Sequence, residues 1–219
     1  MKKTRPFFSV ILTSYNRSAL LVRALNSLIS QTEKDWEAII IDDGSTDDTA
    51  VRVASFLKFG KKINYVKQNS QGAAGAKNTG ILLSKGKYVT FLDSDDEYYP
   101  CHLQSRKMIL EANPEAGFLH GGIIVSGSKY VPDRWDCRKM IHLKDCSVGG
   151  TFFIKRELCI SLGGFADITL GHDADFFDRI NNAGILKIKT AERTYVYHRE
   201  NSNSITNKAA AYRKLSAPL

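Results

Sequence analysis

Asp93, Asp95 and Asp96 put three carboxylates within four residues, directly behind the apolar run Tyr88-Val-Thr-Phe-Leu92. Like charges this close raise one another's pKa, and a divalent cation removes the conflict. Carboxylate oxygens suit Mg2+ or Mn2+, and such an ion can bridge protein to a diphosphate. Asp96 reads equally as part of this cluster or as a cap for the helix expected after Pro100.

Other polar clusters stand behind other apolar runs. Thr13-Ser-Tyr15-Asn-Arg17 follows Phe8-Ser-Val-Ile-Leu12, and Asp42-Asp43-Gly44-Ser45 follows Trp36-Glu-Ala-Ile-Ile-Ile41. Gly72-Ala-Ala-Gly75-Ala-Lys77-Asn78 offers a phosphate-facing loop and helix start, or small residues for close packing. It is neither G-x-G-x-x-G nor G-x-x-x-x-G-K-[ST], so dinucleotide-fold and P-loop readings fail. Lys77 reads as a diphosphate contact or as a surface charge. His172-Asp173-Ala-Asp175 follows the tight turn Gly163-Gly164-Phe165 and reads as a helix cap, or as an acidic site whose helix that turn sets against the first clusters.

These clusters need elements to hold them. The β-branched runs 8–14, 36–42, 63–66 and 87–93 read as strands. Between them, 18–31 carries Leu21, Leu25 and Leu28 on one helical face. A second helix starts from the capping-box-like Ser45-x-x-Asp48, a third spans 72–84, and a fourth runs from Pro100 to about Ala112. Alternating strands and helices mean right-handed βαβ units and a mostly parallel sheet, with ligands at the strand carboxyl ends. From Gly117 the pattern becomes mixed. Strand-like pieces at 118–125, 151–154 and 194–197 surround one good helix, 173–182. The reading is one domain over 1–219: a nucleotide-binding half at 8–112, a mixed half at 113–206 (acceptor-binding by the resemblance given below), and a basic tail at 207–219.

The chain has 219 residues, 43% hydrophobic and 25% charged, with net charge +8. That is ordinary for a globular domain able to bury its own core. No apolar stretch is long enough to span a membrane, and the run behind the basic N-terminus is too short for a signal peptide. Cys101, Cys137, Cys146 and Cys159 lack C-x-x-C spacing, which argues against zinc and for reduced thiols in a cytoplasmic protein. From Lys187 onward seven basic residues face two acidic ones, suiting a polyanionic partner or a solvated surface.

Taken in order, Ser9-Val-Ile-Leu-Thr-Ser-Tyr-Asn-Arg17, Ile41-Asp-Asp-Gly-Ser-Thr-Asp-Asp48, Asp93-Ser-Asp-Asp96 and Gly163-Gly-Phe-Ala-Asp167 with His172-Asp173 resemble the motifs of family 2 glycosyltransferases, over about residues 8–206. The resemblance implies an inverting enzyme of GT-A fold: an α/β protein with a mostly parallel central sheet of Rossmann-like βαβ units, helices on both faces and a smaller mixed acceptor-side lobe. It implies a nucleotide-diphosphate sugar donor, uridine by preference, Mn2+ or Mg2+, and a saccharide or lipid-linked acceptor in surface polysaccharide or glycolipid synthesis. Nucleic acid is not an implied partner.

Laid on this sequence, Thr13 and Asp43 would hold the base, with Tyr15 and Arg17 beside them. Asp93 and Ser94 would meet ribose and diphosphate, Lys77 the diphosphate, Asp95 and His198 the metal, and Asp173 would be the base. Where the family usually carries Glu-Asp, this chain has His172-Asp173. Residues 199–207 would close over the donor, with His198 and Arg199 near the diphosphate, and the tail would face an anionic or membrane-bound acceptor. Three rival classes share features: a receiver-type signalling domain, a D-x-D phosphatase, and a sugar-nucleotide binder without turnover.

Overall fold

The computed structural model describes residues 5–58, 60–136, 138–168 and 171–200. The proposed lid beyond Glu200 and the basic tail lie outside them.

The first half runs β1 (Phe8–Ser14), α1 (Ser18–Ile29), β2 (Trp36–Asp42), α2 (Thr49–Leu57), β3 (Ile63–Lys67), α3 (Gly72–Leu83), β4 (Tyr88–Asp93), β5 (Glu97–Tyr98) and α4 (His102–Ala112). The second half runs β6 (Phe118–His120), β7 (Ile123–Ser126), β8 (Tyr130–Pro132), β9 (Met140–His142), β10 (Phe153–Lys155), α5 (Arg156–Ser161), α6 (His172–Asn182), β11 (Lys187–Lys189) and β12 (Tyr195–His198).

Seven strands form one sheet in the order β11-β6-β10-β4-β1-β2-β3. Only β10 runs antiparallel to its neighbours. β1, β2 and β4 are apolar on both sides because both sheet faces are covered. Phe8, Val10 and Leu12 face α1, α2 and α4, where Leu21, Ala24, Leu25 and Leu28 recur at helical spacing. Ile11, Val89 and Phe91 face α3, α5 and α6. Small residues let α3 lie close to the sheet: a Cβ on Gly80 would stand 2.5 Å from Ile11. Chain order reverses at β1, which pairs with β2 on one side and β4 on the other. The crevice between the carboxyl ends of β1 and β4 is therefore where such a sheet binds ligands.

Three expectations need correction. Ser45 does not cap α2. Its hydroxyl accepts the Asn16 amide, while Asp47 accepts the Thr49 amide and hydroxyl. The run 118–125 is two strands, since Gly121 and Gly122 take left-handed φ values of +97° and +80°. The turn sends β6 into the large sheet and β7 into a second one, β5-β12-β7. At 151–154 a 3-10 turn over Gly149–Thr151 precedes β10. The hairpin β8–β9 has no counterpart in the sequence reading.

Candidate active site

Register sets the centre of the site. Thr13 on β1 pairs with Asp93 on β4, so the polar tails of both strands leave the sheet side by side. Asp93, Ser94, Asp95, Thr13 and Arg17 line a cavity of about 530 Å³, and Lys77, His172, Asp173 and His198 share it. Of the sequence-derived residues, all but Tyr15 and Asp43 thus meet in one place, although α6 lies far along the chain from β4.

Lys77 is not a surface charge. It is 3% exposed, and its ammonium stands 3.3 Å from Asp173 Oδ1 and 3.6 Å from Asp93 Oδ1. Burial alone would push Lys77 down, but the carboxylates of Asp173 and Asp93 outweigh it and hold the ammonium above its ordinary range. Asp173 answers in kind. Burial would raise it, while Lys77 and His172 keep it below the usual carboxylate range. Asp173 is not a helix cap. Gly171 holds the N-cap position, and the Asp173 carboxylate accepts the Gly149 amide at 3.1 Å. A Cβ on Gly149 would stand 2.4 Å from that carboxylate, so only glycine lets the backbone approach. A glycine pair before a short strand was the available sequence signal for this contact. Burial pushes the His172 imidazole down, against the pull of Asp173.

The acidic turn is built differently from a helix cap. Burial raises Asp95, with Arg17 opposing and Asp93 adding to the rise. Arg17 Nη1 lies 3.0 Å from Asp95 Oδ2, and Arg23 donates to the Asp95 carbonyl. Asp96 is fully buried and accepts the Tyr195 hydroxyl at 2.6 Å and the His198 amide at 2.8 Å. Asp96 therefore ties the turn to β12 rather than to α4.

His198 reaches the cavity wall, but its ring nitrogens face Glu97 (2.8 Å) and Glu200 (3.5 Å) rather than Asp95. Arg199 donates to the Tyr130 carbonyl at 3.5 Å, and its guanidinium stands 5.8 Å from the Tyr197 ring. Among the described residues no group of three or more His, Cys, Asp or Glu is arranged to hold a metal ion unaided.

A second cavity, about 660 Å³, is lined by Thr13, Tyr15, Arg17, Asp43 and Ser94. The Asp43 carboxylate accepts from Gln68, Ser70, Gln71 and Gly72, each at 3.0 Å or less. It pins the loop into α3 and so fixes Lys77. Tyr15 is half exposed at the rim.

Residues 9–161 match the family model described as Glycosyl transferase family 2. The chain belongs to that family. This family 2 member is 42% identical over 105 residues to an uncharacterised glycosyltransferase of Rickettsia felis, which covers 48% of this chain and 17% of that protein. It is 29% identical, over 95% of this chain and 70% of the relative, to a GalNAc(5)-diNAcBac-PP-undecaprenol beta-1,3-glucosyltransferase of Campylobacter jejuni. A UDP-Glc:alpha-D-GlcNAc-diphosphoundecaprenol beta-1,3-glucosyltransferase of Escherichia coli is 30% identical over 64% of this chain and 56% of its own length. The chain thus spans under a fifth of the Rickettsia relative and just over half of the Escherichia one. Among solved structures, TarS of S. aureus with UDP-GlcNAc superposes with TM-score 0.73 at 18% identity, over 97% of this chain and 67% of that one. The mannosyltransferase PcManGT of Pyrobaculum calidifontis, with GDP-Man and Mn2+, gives TM-score 0.72 at 22% identity, over 99% and 67%. These two likenesses establish the GT-A fold. The family match removes the receiver and phosphatase readings.

Proposed function

We propose that this chain is an inverting glycosyltransferase that moves a sugar from a uridine diphosphate sugar to a hydroxyl of a saccharide or lipid-linked saccharide, in surface polysaccharide or glycolipid synthesis. One observation carries the reading: Lys77 joins Asp93 of the nucleotide half to Asp173 of α6 on a single cavity at the strand-order switch. The undecaprenol-linked acceptors in the names of two relatives support the acceptor class, and one of those names also supports a UDP-sugar donor. A membrane-linked acceptor sets the reaction at the inner face of the membrane.

In this reading Thr13, Tyr15, Arg17 and Ser94 hold the nucleoside along the second cavity, with Asp43 keeping its wall in place. Asp173, ionised and aimed by Gly149, takes the acceptor's hydroxyl proton. The hydroxyl oxygen bonds to the anomeric carbon as the bond to the diphosphate breaks, and the leaving oxygen keeps the electron pair. Attack opposite the leaving group inverts the centre. An ammonium carries three donors, so Lys77 can hold both carboxylates and still meet a phosphate oxygen. Asp95 fits as a ligand of Mn2+ or Mg2+, because a buried carboxyl raised by Asp93 is one that a cation stabilises. With so few protein donors, phosphate oxygens would complete the shell. Such an ion, when bound, supplies charge against the departing diphosphate.

A thermal-shift panel of nucleotides and nucleotide sugars, with and without Mn2+, tests this, because ligands of the folded state raise its melting temperature. UDP should stabilise with Mn2+ and much less with EDTA. In calorimetry Asp95→Ala should lose the Mn2+-dependent part of UDP affinity. Equal UDP affinity with Mn2+ and EDTA would remove the metal from the proposal. Binding without UDP release in the presence of any glycoside acceptor would leave a sugar-nucleotide binder.

A further inference from the structure

Trp135 is 83% exposed, more than any other large apolar side chain among the described residues, yet the turn that carries it is held by hydrogen bonds. The Asp133 carboxylate accepts the Trp135 amide at 2.8 Å and the Asp136 amide at 2.9 Å, folding the tip of the β8–β9 hairpin into a tight turn. The Arg134 guanidinium lies 4.6 Å from the indole and pairs with Asp178 on α6. The Arg134 side chain also packs on Gly171, where a Cβ would stand 2.9 Å from it. The hairpin tip is therefore clamped to the helix that carries Asp173, at its N-cap Gly171 and at Asp178, and Trp135 lines the same cavity as Asp173.

The rest of that wall is mixed. Val131, Pro132, Ile141 and Leu143 are apolar, and Asp133 and Asp145 bring carboxylates to it. We infer that Trp135 is the platform on which a pyranose ring of the acceptor stacks, with Asp133 and Asp145 accepting its hydroxyl hydrogens, so that a neighbouring hydroxyl is presented to Asp173. The inference rests on the transferase reading and gives its site an acceptor class. A pyranose has one flat face of C–H bonds and a rim of hydroxyls. An exposed indole covers the face, and carboxylates suit the rim. A polyprenyl chain would need a trough free of charge. A phosphate headgroup would meet the acids Asp133, Asp145 and Asp178, with Arg134 already paired. The wall therefore selects sugar over lipid.

Trp36, the other tryptophan, is only 5% exposed, so acrylamide quenching of fluorescence reads Trp135. Methyl β-glycosides of glucose, galactose, N-acetylglucosamine and N-acetylgalactosamine, titrated with UDP and Mn2+ present, should cut that quenching by about half for at least one of them. Asp173→Asn protein should show the same protection, because it binds without turning over. In steady state Trp135→Ala should raise the acceptor KM about tenfold while the donor KM moves far less, and Trp135→Phe should recover most of the loss. Quenching untouched by every glycoside, protection by farnesyl phosphate alone, or an unchanged acceptor KM in Trp135→Ala would each overturn the inference. Protection by a glycoside in a protein that transfers no sugar would keep the subsite and sink the transferase reading instead.

Discussion

The Lys77 ammonium and the Asp173 carboxylate stand 3.3 Å apart although 96 residues separate them in the chain. One belongs to a helix of the nucleotide half and the other to the helix that carries the proposed base. Their contact makes the two halves electrically interdependent. The same charge that would offset a leaving diphosphate keeps the base ionised before any substrate arrives.

Asp173→Asn keeps the shape and the Gly149 contact but cannot take up a proton. We expect kcat to fall by about a thousandfold or more, with UDP affinity by calorimetry changing little. Asp175→Asn is the control. Asp175 pairs with Arg179 at 2.8 Å, and Arg179 in turn donates to the carbonyls of Leu162 and Gly164. Its loss should lower the melting temperature modestly and leave kcat within a few-fold of the parent. Equal losses of activity in the two variants would remove Asp173 as the base.

The pH dependence follows from the directions of the shifts. Asp173 is held low, so it stays deprotonated as pH falls through neutrality and protonates only below the ordinary carboxylate value of about 3.9. The stability it contributes is full above that unfolded value and is lost as pH falls through the lower folded one. Lys77 is held high and keeps its charge well into the alkaline range. We therefore expect the acid limb of kcat to lie below the usual carboxylate range. Lys77→Met removes the cation that depresses Asp173, so the limb should move to higher pH whatever happens to the height of the profile. A limb that stays put in Lys77→Met would show that the pair does not set the proton affinity of Asp173.

Most of the large sheet was legible because β1, β2 and β4 are mostly apolar runs and α1 carries its leucines at helical spacing. Asp42, Asp43 and the cluster Asp93 to Asp96 were legible for a different reason: they stand where an apolar run stops, which in a parallel sheet is the binding edge. The environment of Lys77 was not legible. On a sequence it is a lysine among alanines and glycines, and only the packing of α3 under α6 buries it. The break at Gly121-Gly122 was hidden because the residues on both sides are apolar. The β8–β9 hairpin was hidden because its tip, Asp133-Arg-Trp-Asp136, has no strand periodicity and takes its shape from Asp133. The surroundings of His198 were hidden for a related reason. Its partner Glu97 is brought to it by the pairing of β12 with β5, which no local pattern announces, whereas Glu200 stands only two residues along the chain.

Tyr195 offers the last test, because it joins the acidic turn to the second half without touching the proposed chemistry. Its ring is fully buried and its hydroxyl lies 2.6 Å from Asp96 Oδ2. Burial and the neighbouring carboxylates of Asp93 and Asp95 push Asp96 well above the usual range, and the Tyr195 hydroxyl and the His198 amide work against that rise. Gly150 allows the contact, since a Cβ there would lie 2.0 Å from the tyrosine hydroxyl. Tyr195→Phe keeps the ring and leaves Asp96 short of one donor. A buried acceptor that loses its partner costs about 1–3 kcal/mol, which for a domain of this size lowers the melting temperature by several degrees. The loss should shrink as pH falls, because a protonated Asp96 depends less on that donor. Gly150→Ala should be at least as damaging, since its methyl group has no room beside Tyr195. An unchanged melting temperature in Tyr195→Phe at neutral pH would mean that Asp96 does not tie the acidic turn to β12.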